Sequence, residues 1–318
     1  MLLLAAVAAV AVSPRPHAQG LLERPIRIIV PVPAGGTSDI AARLIAERIG
    51  VSLGRPIVVE NRVGATGRLA AKTLKSAAPD GATLLLTPMA VPVIVPLVFR
   101  RPGYDPAKDF APVAQIATYQ FAIAIAPDLP VRNVPEFTAW AKAHPDRANF
   151  GTLAVGSLPH FLGTMIEQEA RVGLVHVPYG SLAQLKTELM SGTLPSGISA
   201  LSDFVELHRA GRVRIIGTSG ARRSLFLPEV PTLVEQGYSE AEGTGWNAVF
   251  APAGTPQAEI DQLASAIVAA VRSPEVGERF KDLGFEPTGT TPQELARIIA
   301  ADTTRWRKII EASGFVAE

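Results

Sequence analysis

Short apolar runs alternate along the chain with stretches in which apolar residues recur every three or four positions. The runs at 26–32, 56–62 and 83–89 have the length of strands, and helical patterns separate them. This β-α-β-α-β order is typical of a parallel sheet with right-handed crossovers, and runs such as "IIV" and "LLL" suit strands covered on both faces. The pattern predicts an α/β unit.

The same alternation then starts again. Further strands are predicted at 120–127, 148–152, 173–179, 213–219 and 246–252, and further helices at 134–145 and 255–274. We therefore expect two β/α units of about 100 residues in series, which is an ordinary domain size.

The last predicted helix has a marked beginning and end. Thr291 is placed to cap it, Glu294 completes a capping box, and Gly314 ends it. An apolar stripe follows the helical period and predicts a face packed on the protein's own core: Leu295, Ile298, Ile299, Trp306, Ile309 and Ile310.

Composition narrows the class of protein. The 318 residues are 47% hydrophobic and 19% charged, which is typical of a globular chain rather than a disordered one. A net charge of +1 lacks the basic excess of a nucleic-acid binder, so no nucleic-acid partner is expected. With no cysteine, disulfides, thiolate metal sites and cysteine nucleophiles are excluded.

The N-terminus predicts export. "MLLLAAVAAVAV" is too short to span a membrane, which needs about 20 residues, but it matches the apolar core of a secretory signal peptide. The predicted signal peptide is 1–18, with cleavage after Ala18, although no positive charge precedes the apolar run. The expected location is the periplasm.

Signatures of catalysis and metal binding are missing. The chain has no G-x-S-x-G, no phosphate-binding G-x-x-x-x-G-K-S/T and no H-E-x-x-H, and its five histidines include no pair at helical spacing. Neither a metal nor another cofactor is predicted. His176, between two valines, is expected to be structural, whereas His160 is expected either to pack at a helix end or to contact a ligand.

Two glycine-containing turns carry the functional hypothesis. "PVPAGGTSD" at 31–39 and "FGTLAVGSLPH" at 150–160 each follow a strand and lead into a helix. A helix N-terminus exposes unpaired N–H groups and partial positive charge, and glycine lets a ligand approach closely. Neither turn contains Lys or Arg, so an anion there would be held by peptide groups and hydroxyls. Taken singly, each is better explained as a plain strand-to-helix turn, but two of them, one in each predicted domain, indicate a cleft between the domains.

Several longer motifs in this order resemble the Bug family of periplasmic solute-binding proteins, the receptors of tripartite tricarboxylate transporters. The motifs are "RPIRIIVPVPAGGTSDIAARL", "GRPIVVENRVGATGR", "AAPDGATLLL", "YDPAKDFAPV", "NFGTLAVGSLPHFLG", "VHVPYGS", "LPEVPTLVEQG" and "WNAVFAPAGTP". The resemblance implies a two-domain, Venus-flytrap α/β fold, with a β-sheet flanked by helices in each domain and a ligand cleft between them. It also implies small organic acids as ligands.

The resemblance also implies domain limits and site residues. Domain 1 is expected to comprise 20–118 and 247–318, and domain 2 to comprise 119–246, with crossings near 115–120 and 243–250. The first turn is expected to bind ligand through Pro33, Ala34, Gly35, Gly36, Thr37 and Asp39. The second is expected to do so through Gly151, Thr152, Leu153, Ala154, Gly156, Ser157 and His160. Met89, Tyr179 and Ser199 complete the expected ligand-binding set.

Departures from the family pattern all remove polarity. The stretch 89–96, "MAVPVIVP", has no polar side chain where the family often has several, and the second turn carries Leu153, Val155 and Leu158. Near Ser199 the family often shows Phe-Asp-Asn, and Arg68 stands where a small polar residue is common. Core drift would explain each change. Together they lead to the hypothesis that the ligand is an acid with an apolar or aromatic body.

The expected function is capture of a small organic carboxylate for uptake through the membrane permease subunits of a tripartite tricarboxylate-type transporter. The protein is expected to be a monomer and not an enzyme. Two alternatives stay open at this point. One is a sensory binding protein that hands its ligand-bound form to a signalling partner, and the other is an exported hydrolase or lyase using His160 and a hydroxyl such as that of Ser157.

Overall fold

The computed structural model describes residues 25–317, so the predicted signal peptide at 1–18 lies outside the described residues. The strands are β1 Ile26–Val30, β2 Ile57–Asn61, β3 Thr83–Pro88, β4 Phe110–Ile125, β5 Asn149–Thr152, β6 Val175–Pro178, β7 Ser196–Ala200, β8 Arg214–Thr218, β9 Thr244–Pro252 and β10 Glu286–Pro287. The helices are α1 Thr37–Leu53, α2 Arg68–Lys75, α3 Val95–Val98, α4 Pro106–Asp109, α5 Val134–Ala143, α6 Leu158–Ala170, α7 Leu182–Met190, α8 Val205–Arg209, α9 Gln257–Arg272, α10 Pro274–Asp282 and α11 Pro292–Ser313.

Within the described residues the strands form a mixed, ten-stranded sheet. Eight of them follow the path β2-β1-β3-β9-β4-β7-β5-β6, and β8 and β10 each pair with β4 off this path. β1 pairs in parallel with β2 and β3, as the alternating pattern predicts. β9 runs antiparallel between β3 and β4, which makes the sheet mixed. The second half repeats the parallel arrangement, because β5 pairs in parallel with β6 and β7.

One long strand joins the two halves of the sheet. β4 pairs with β9 as far as Gln120 opposite Thr244, and from Phe121 onward it pairs with β7 and β8 instead. The sequence predicted only the last part of this strand, at 120–127. Pro112 argues against a strand at the beginning of this segment, because proline disfavours a paired strand. In the structure the register between β4 and β9 shifts beside Pro112, which accommodates the missing N–H.

Helices cover both faces of the sheet. Ile28 and Val30 of β1 are fully buried in one apolar cluster with α1 and α9, whereas Ile29 is fully buried in another with α2 and α11. Alternate residues of one strand therefore lie in different cores, which is the arrangement predicted from the continuous apolar runs.

The last helix follows its prediction closely. Thr291 accepts a hydrogen bond from the Glu294 N–H, the Glu294 carboxylate accepts one in return, and Gly314 ends the helix at φ 66°. Leu295, Trp306 and Ile310 of the predicted stripe are buried. The Trp306 ring lies 6.4 Å from that of Phe161, so α11 packs against α6 from the other half of the sheet.

Two kinds of feature are missing from residues 25–317. No helix in this part of the chain has the length and apolar character needed to cross a membrane. Nor does it contain a group of three or more His, Asp and Glu residues arranged to hold a metal ion.

A pair of helical glycines tests how tightly this core is packed. A Cβ added at Gly163 of α6 would lie 2.2 Å from the Phe150 ring, whereas one added at Gly277 of α10 would have no neighbour closer than 3.9 Å. We expect Gly163→Ala to lower the free energy of unfolding by about 1–3 kcal/mol through overpacking, outweighing its gain in helix propensity. Gly277→Ala should raise it by about 0.5–1 kcal/mol. Urea unfolding measures both, and equal effects would contradict the packing argument.

Candidate functional site

A cavity of about 300 Å³ lies where the two predicted turns meet. It is lined by the first residues of α1, the loop before α6, and the ends of β3 and β7, together with parts of β4 and β9. The lining residues are Thr37, Ser38, Pro88, Tyr119, Phe121, Leu153, Ser157, Pro159, Ile198, Ser199, Ala200, Ser202, Asp203, Asn247 and Phe285. Larger surface grooves exist, but one of about 680 Å³ lies at the far end of α1, away from the carboxyl ends of the strands.

The first turn presents an open helix end to this cavity. Gly36 is the N-cap of α1 in an extended conformation, and no side chain caps the helix. Thr37 and Ser38 line the cavity, whereas Pro33, Ala34, Gly35 and Gly36 form the turn before them and are not among the lining residues. Gly35 has φ +82°, the left-handed region that favours glycine.

Asp39 holds this turn in place and does not line the cavity. Its carboxylate accepts hydrogen bonds from the Gly35 N–H at 2.9 Å, from Arg43 Nε at 3.0 Å and from Asn61 Nδ2 at 2.8 Å. Burial by itself would raise the pKa of Asp39, but these bonds outweigh it and lower the pKa below the ordinary value. Asp39, which the resemblance implies as a ligand contact, thus stabilises the backbone of the turn from outside the cavity lining.

The second turn contributes Leu153, Ser157 and Pro159 to the lining. Ser157 caps α6 by accepting from the His160 N–H at 3.4 Å, and its hydroxyl donates to the Ala154 carbonyl at 2.7 Å. Leu153 is 43% exposed, so an apolar side chain borders an open space. Ala154 is exposed but is not among the lining residues.

Two histidines make hydrogen bonds to residues of the second turn. His160 Nδ1 accepts a hydrogen bond from the Gly156 N–H at 3.0 Å, and His176 Nε2 shares one of 2.7 Å with Thr152 Oγ1. The two imidazole rings lie 4.2 Å apart. Burial lowers the pKa of His160, and burial together with the charge of His160 lowers the pKa of His176 to about 4. Neither histidine lines the cavity.

The C-terminal segment reaches the same turn. The Phe315 ring lies 5.8 Å from the His160 ring and 5.9 Å from the Phe161 ring, with an edge-to-face geometry in both cases. A Cβ added at Gly156 would lie 2.5 Å from the Phe315 ring, and φ there is +74°. Gly156 is thus required by the close approach of Phe315 and is not part of the lining.

Other residues that the resemblance implies as ligand contacts do not line the cavity. Met89 is fully buried in the core with Val91 and Val93, so the apolar stretch 89–96 packs the protein and does not border the cavity. Gly151 lies under the Tyr179 ring, and the Tyr179 hydroxyl donates to the Glu188 carboxylate at 2.7 Å. Arg68 stacks on the Phe99 ring at 4.1 Å. Of the predicted set, Thr37, Leu153, Ser157 and Ser199 do line the cavity.

Asn247 is a lining residue that the sequence reasoning missed. It is 1% exposed, and its Oδ1 accepts a hydrogen bond from Ser38 Oγ at 2.8 Å. Its Nδ2 is buried and has no hydrogen-bond partner among the described residues. Such a donor is costly to leave unpaired, so Nδ2 is available to donate a hydrogen bond to a molecule in the cavity, whether water or a solute. The motif "WNAVFAP" contains it, but the strand pattern did not show which face it occupies.

An aromatic cluster borders the same space and was also missed. The Tyr119 ring lies 5.5 Å from that of Phe121 and 5.6 Å from that of Phe285, and all three residues line the cavity. With Pro88, Leu153, Pro159 and Ile198 they make a large part of the lining apolar. The cavity thus combines an apolar surface with a few polar groups, as small-molecule sites commonly do.

Comparison with known families bears on what such a cavity is for. Residues 41–315 match the model of the tripartite tricarboxylate transporter family receptor, TctC. The chain belongs to this family.

Solved structures of TctC-type receptors and related binding proteins agree in fold. The periplasmic binding protein BugD superposes with a TM-score of 0.79 at 28% identity, covering 93% of this chain and 99% of BugD. Rpa4515 of R. palustris with adipate gives a TM-score of 0.82 at 31% identity, covering 92% and 98%. MatC of Rhodopseudomonas palustris with bound malate gives 0.77 at 28% identity, covering 90% and 99%. This TctC-family chain thus has the two-domain periplasmic-binding-protein fold, as the sequence motifs predicted.

The histidine pair predicts a pH-dependent stability. Because the folded-state pKa of His176, about 4, lies below the ordinary value of 6.5, the unfolded chain binds more protons between these pH values. Stability should therefore fall as the pH drops from about 6.5 towards 4. We expect wild type to lose more free energy of unfolding between pH 7 and pH 5 than His176→Gln does.

Thermal and urea unfolding at the two pH values measure this difference. His144, an exposed histidine of the same half of the protein, provides the matched control, and His144→Gln should keep the wild-type dependence. An identical loss of free energy of unfolding in wild type and His176→Gln would contradict a lowered pKa of His176 in the folded protein.

Proposed function

We propose that this protein is a periplasmic receptor that captures a small organic carboxylate in the cavity between α1 and α6. The observation that carries the proposal is the buried, unpartnered Nδ2 of Asn247 beside the uncapped N-terminus of α1. Both supply neutral hydrogen-bond donors at the lining of the cavity, and a carboxylate accepts from such groups more strongly than a neutral ligand does. The adipate and malate in the neighbouring structures are carboxylates.

The proposed ligand has an apolar or aromatic body. No Lys, Arg or His is among the lining residues, whereas Tyr119, Phe121, Phe285 and Leu153 are. A ligand with several carboxylates would therefore lack charged partners for most of them. An apolar body would instead cover the aromatic cluster and remove it from water.

The proposed mechanism is closure of two domains over the ligand. We place the domains at 20–118 with 247–318 and at 119–246, so that Thr37 and Asn247 approach the ligand from one domain and Leu153 and Ser157 from the other. The change of partners along β4 after Gln120 supports a hinge at this place. The closed form would then dock on the membrane permease of a tripartite tricarboxylate-type transporter, after export directed by residues 1–18.

The geometry gives less support to an exported hydrolase. The Ser157 hydroxyl donates to the Ala154 carbonyl, and His160 Nδ1 accepts from the Gly156 N–H, so the two side chains do not form a nucleophile–base pair. A sensory role uses the same site with another partner. Binding of the ligand-loaded receptor to permease-containing vesicles would favour transport, and its absence would favour the sensory role.

A ligand panel tests the nature of the bound acid. We expect monocarboxylic acids with an apolar body, such as hexanoate and 3-phenylpropionate, to raise the melting temperature and citrate to bind at least about 10-fold more weakly. Each polar group of the ligand left unpaired in the cavity costs about 1–3 kcal/mol of binding free energy, and this cost is the reason for the expected difference in affinity. Thermal shift followed by calorimetry measures it. Tight citrate binding without any response to the apolar acids would refute the proposal.

Asn247 variants test the anion site. Asn247→Leu removes the free donor and should weaken carboxylate binding by about 1.5–3 kcal/mol, or roughly 10- to 150-fold. Asn247→Asp keeps the shape but places an acceptor there, and should weaken it at least as much. Asn149→Leu is the matched control, because Asn149 also has a buried amide atom without a partner among the described residues and does not line the cavity. Unchanged affinity in both Asn247 variants would exclude this group from the site.

A further inference from the structure

Asp203 is the one charged side chain among the residues that line the described cavity. It follows β7 in a single turn of 3₁₀ helix, Leu201–Asp203. An acidic group is an unexpected neighbour for a carboxylate ligand, because two like charges in a small cavity repel each other. The presence of Asp203 therefore restricts what kind of acid fits.

The surroundings of Asp203 leave its charge incompletely balanced. The Ser199 hydroxyl donates to Oδ2, and the Ala200 N–H also donates to the carboxylate. Among the described basic residues, Lys186 of α7 is the one whose charge acts on Asp203, and Lys186 does not line the cavity. Burial outweighs these contacts and raises the pKa of Asp203 above its ordinary value. A cation supplied by the ligand would remove that cost.

The aromatic cluster favours the same kind of group. Burial, together with the negative charge of Asp203, raises the pKa of Tyr119. The Tyr119 ring meets the Phe121 ring edge-on and the Phe285 ring at an oblique angle. Aromatic rings attract cations through their negatively charged faces, most strongly where water is excluded. Asp203 and the three aromatic residues line the same cavity, and Asp203 is near enough to Tyr119 for its charge to act on that side chain.

The anion donors lie in another region. Asn247 is on β9, opposite Ala117 of β4, whereas Ser199, which binds Asp203, is on β7 opposite Ala122. The two groups are therefore attached to different halves of the sheet. A ligand that touches both would carry its negative and positive groups at different positions.

We propose that Asp203 binds a protonated amino group, and that the captured solute is a zwitterionic amino acid with an apolar side chain. This inference rests on the proposed carboxylate-binding function and adds the second charged group. The carboxylate would be held by Asn247 and the helix N-termini, the ammonium by Asp203, and the side chain by the aromatic cluster. Specificity would come from Asp203, which repels an acid that lacks the amine.

Matched ligand pairs test the proposal. The panel consists of the twenty standard amino acids and, for each apolar one, the acid without its amino group, such as phenylalanine with 3-phenylpropionate and leucine with 4-methylpentanoate. We expect at least one apolar amino acid to bind wild-type protein at least 10-fold more tightly than its amine-free partner in calorimetry. Equal or tighter binding of every amine-free partner would overturn the inference and leave carboxylate capture intact. Absence of binding by both classes would overturn both.

Variants assign the preference to Asp203. In Asp203→Asn the advantage of the amino acid should fall below about 3-fold, while the amine-free acid binds at least as tightly as in wild type because the repulsion is gone. Retained binding of the amine-free acid also shows that the variant is folded. A preference that survives in Asp203→Asn would overturn the assignment.

Asp302 provides the matched control. It is also a carboxyl group whose pKa is raised by burial, but it accepts a hydrogen bond from Trp246 Nε1 at 2.7 Å and does not line the cavity. Asp302→Asn should keep the wild-type preference for the amino acid. A loss of preference in this variant equal to that in Asp203→Asn would show a general effect of removing a buried carboxylate, and would overturn the proposal.

Discussion

The backbone pairing of β4 with β9 is the constraint on which the rest of this structure depends. These two strands are paired from Phe110 opposite Pro252 to Gln120 opposite Thr244, and directly beyond that point β4 takes new partners. Since backbone hydrogen bonds have a fixed geometry, the pairing determines where the two halves of the sheet meet. The cavity lies at that junction and draws residues from both strands, including Tyr119 and Asn247.

The chemistry of the cavity follows from an uneven distribution of charge. Donors come from neutral groups, namely the Asn247 amide and the first turn of α1, whereas the charged side chain at the lining is the acid Asp203. Neutral donors hold an anion without the large desolvation cost that a buried lysine or arginine would carry. The strong charges of the region lie behind the turns instead, as in the contact between Asp39 and Arg43, where they fix the backbone.

Sequence reasoning located the turns but only part of the set of side chains that line the space between them. Glycines and helix-start patterns reveal a strand-to-helix turn because they depend on neighbouring residues only, and Thr37 and Ser157 were found in this way. Asn247 and Asp203 depend on which faces of β9 and of the turn after β7 are directed to the junction, which only the tertiary arrangement determines. Met89 is fully buried and does not line the cavity, because an apolar residue near a site is more often packed in the core than in contact with a ligand.

The contact of Phe315 with Gly156 and His160 has a practical consequence for handling this protein. The chain's final residues help to shape a loop far away in sequence that borders the cavity. An affinity tag or fluorescent fusion joined shortly after Phe315 would displace that segment and disturb the loop. Purification handles are therefore better separated from Phe315 by a long glycine-serine spacer.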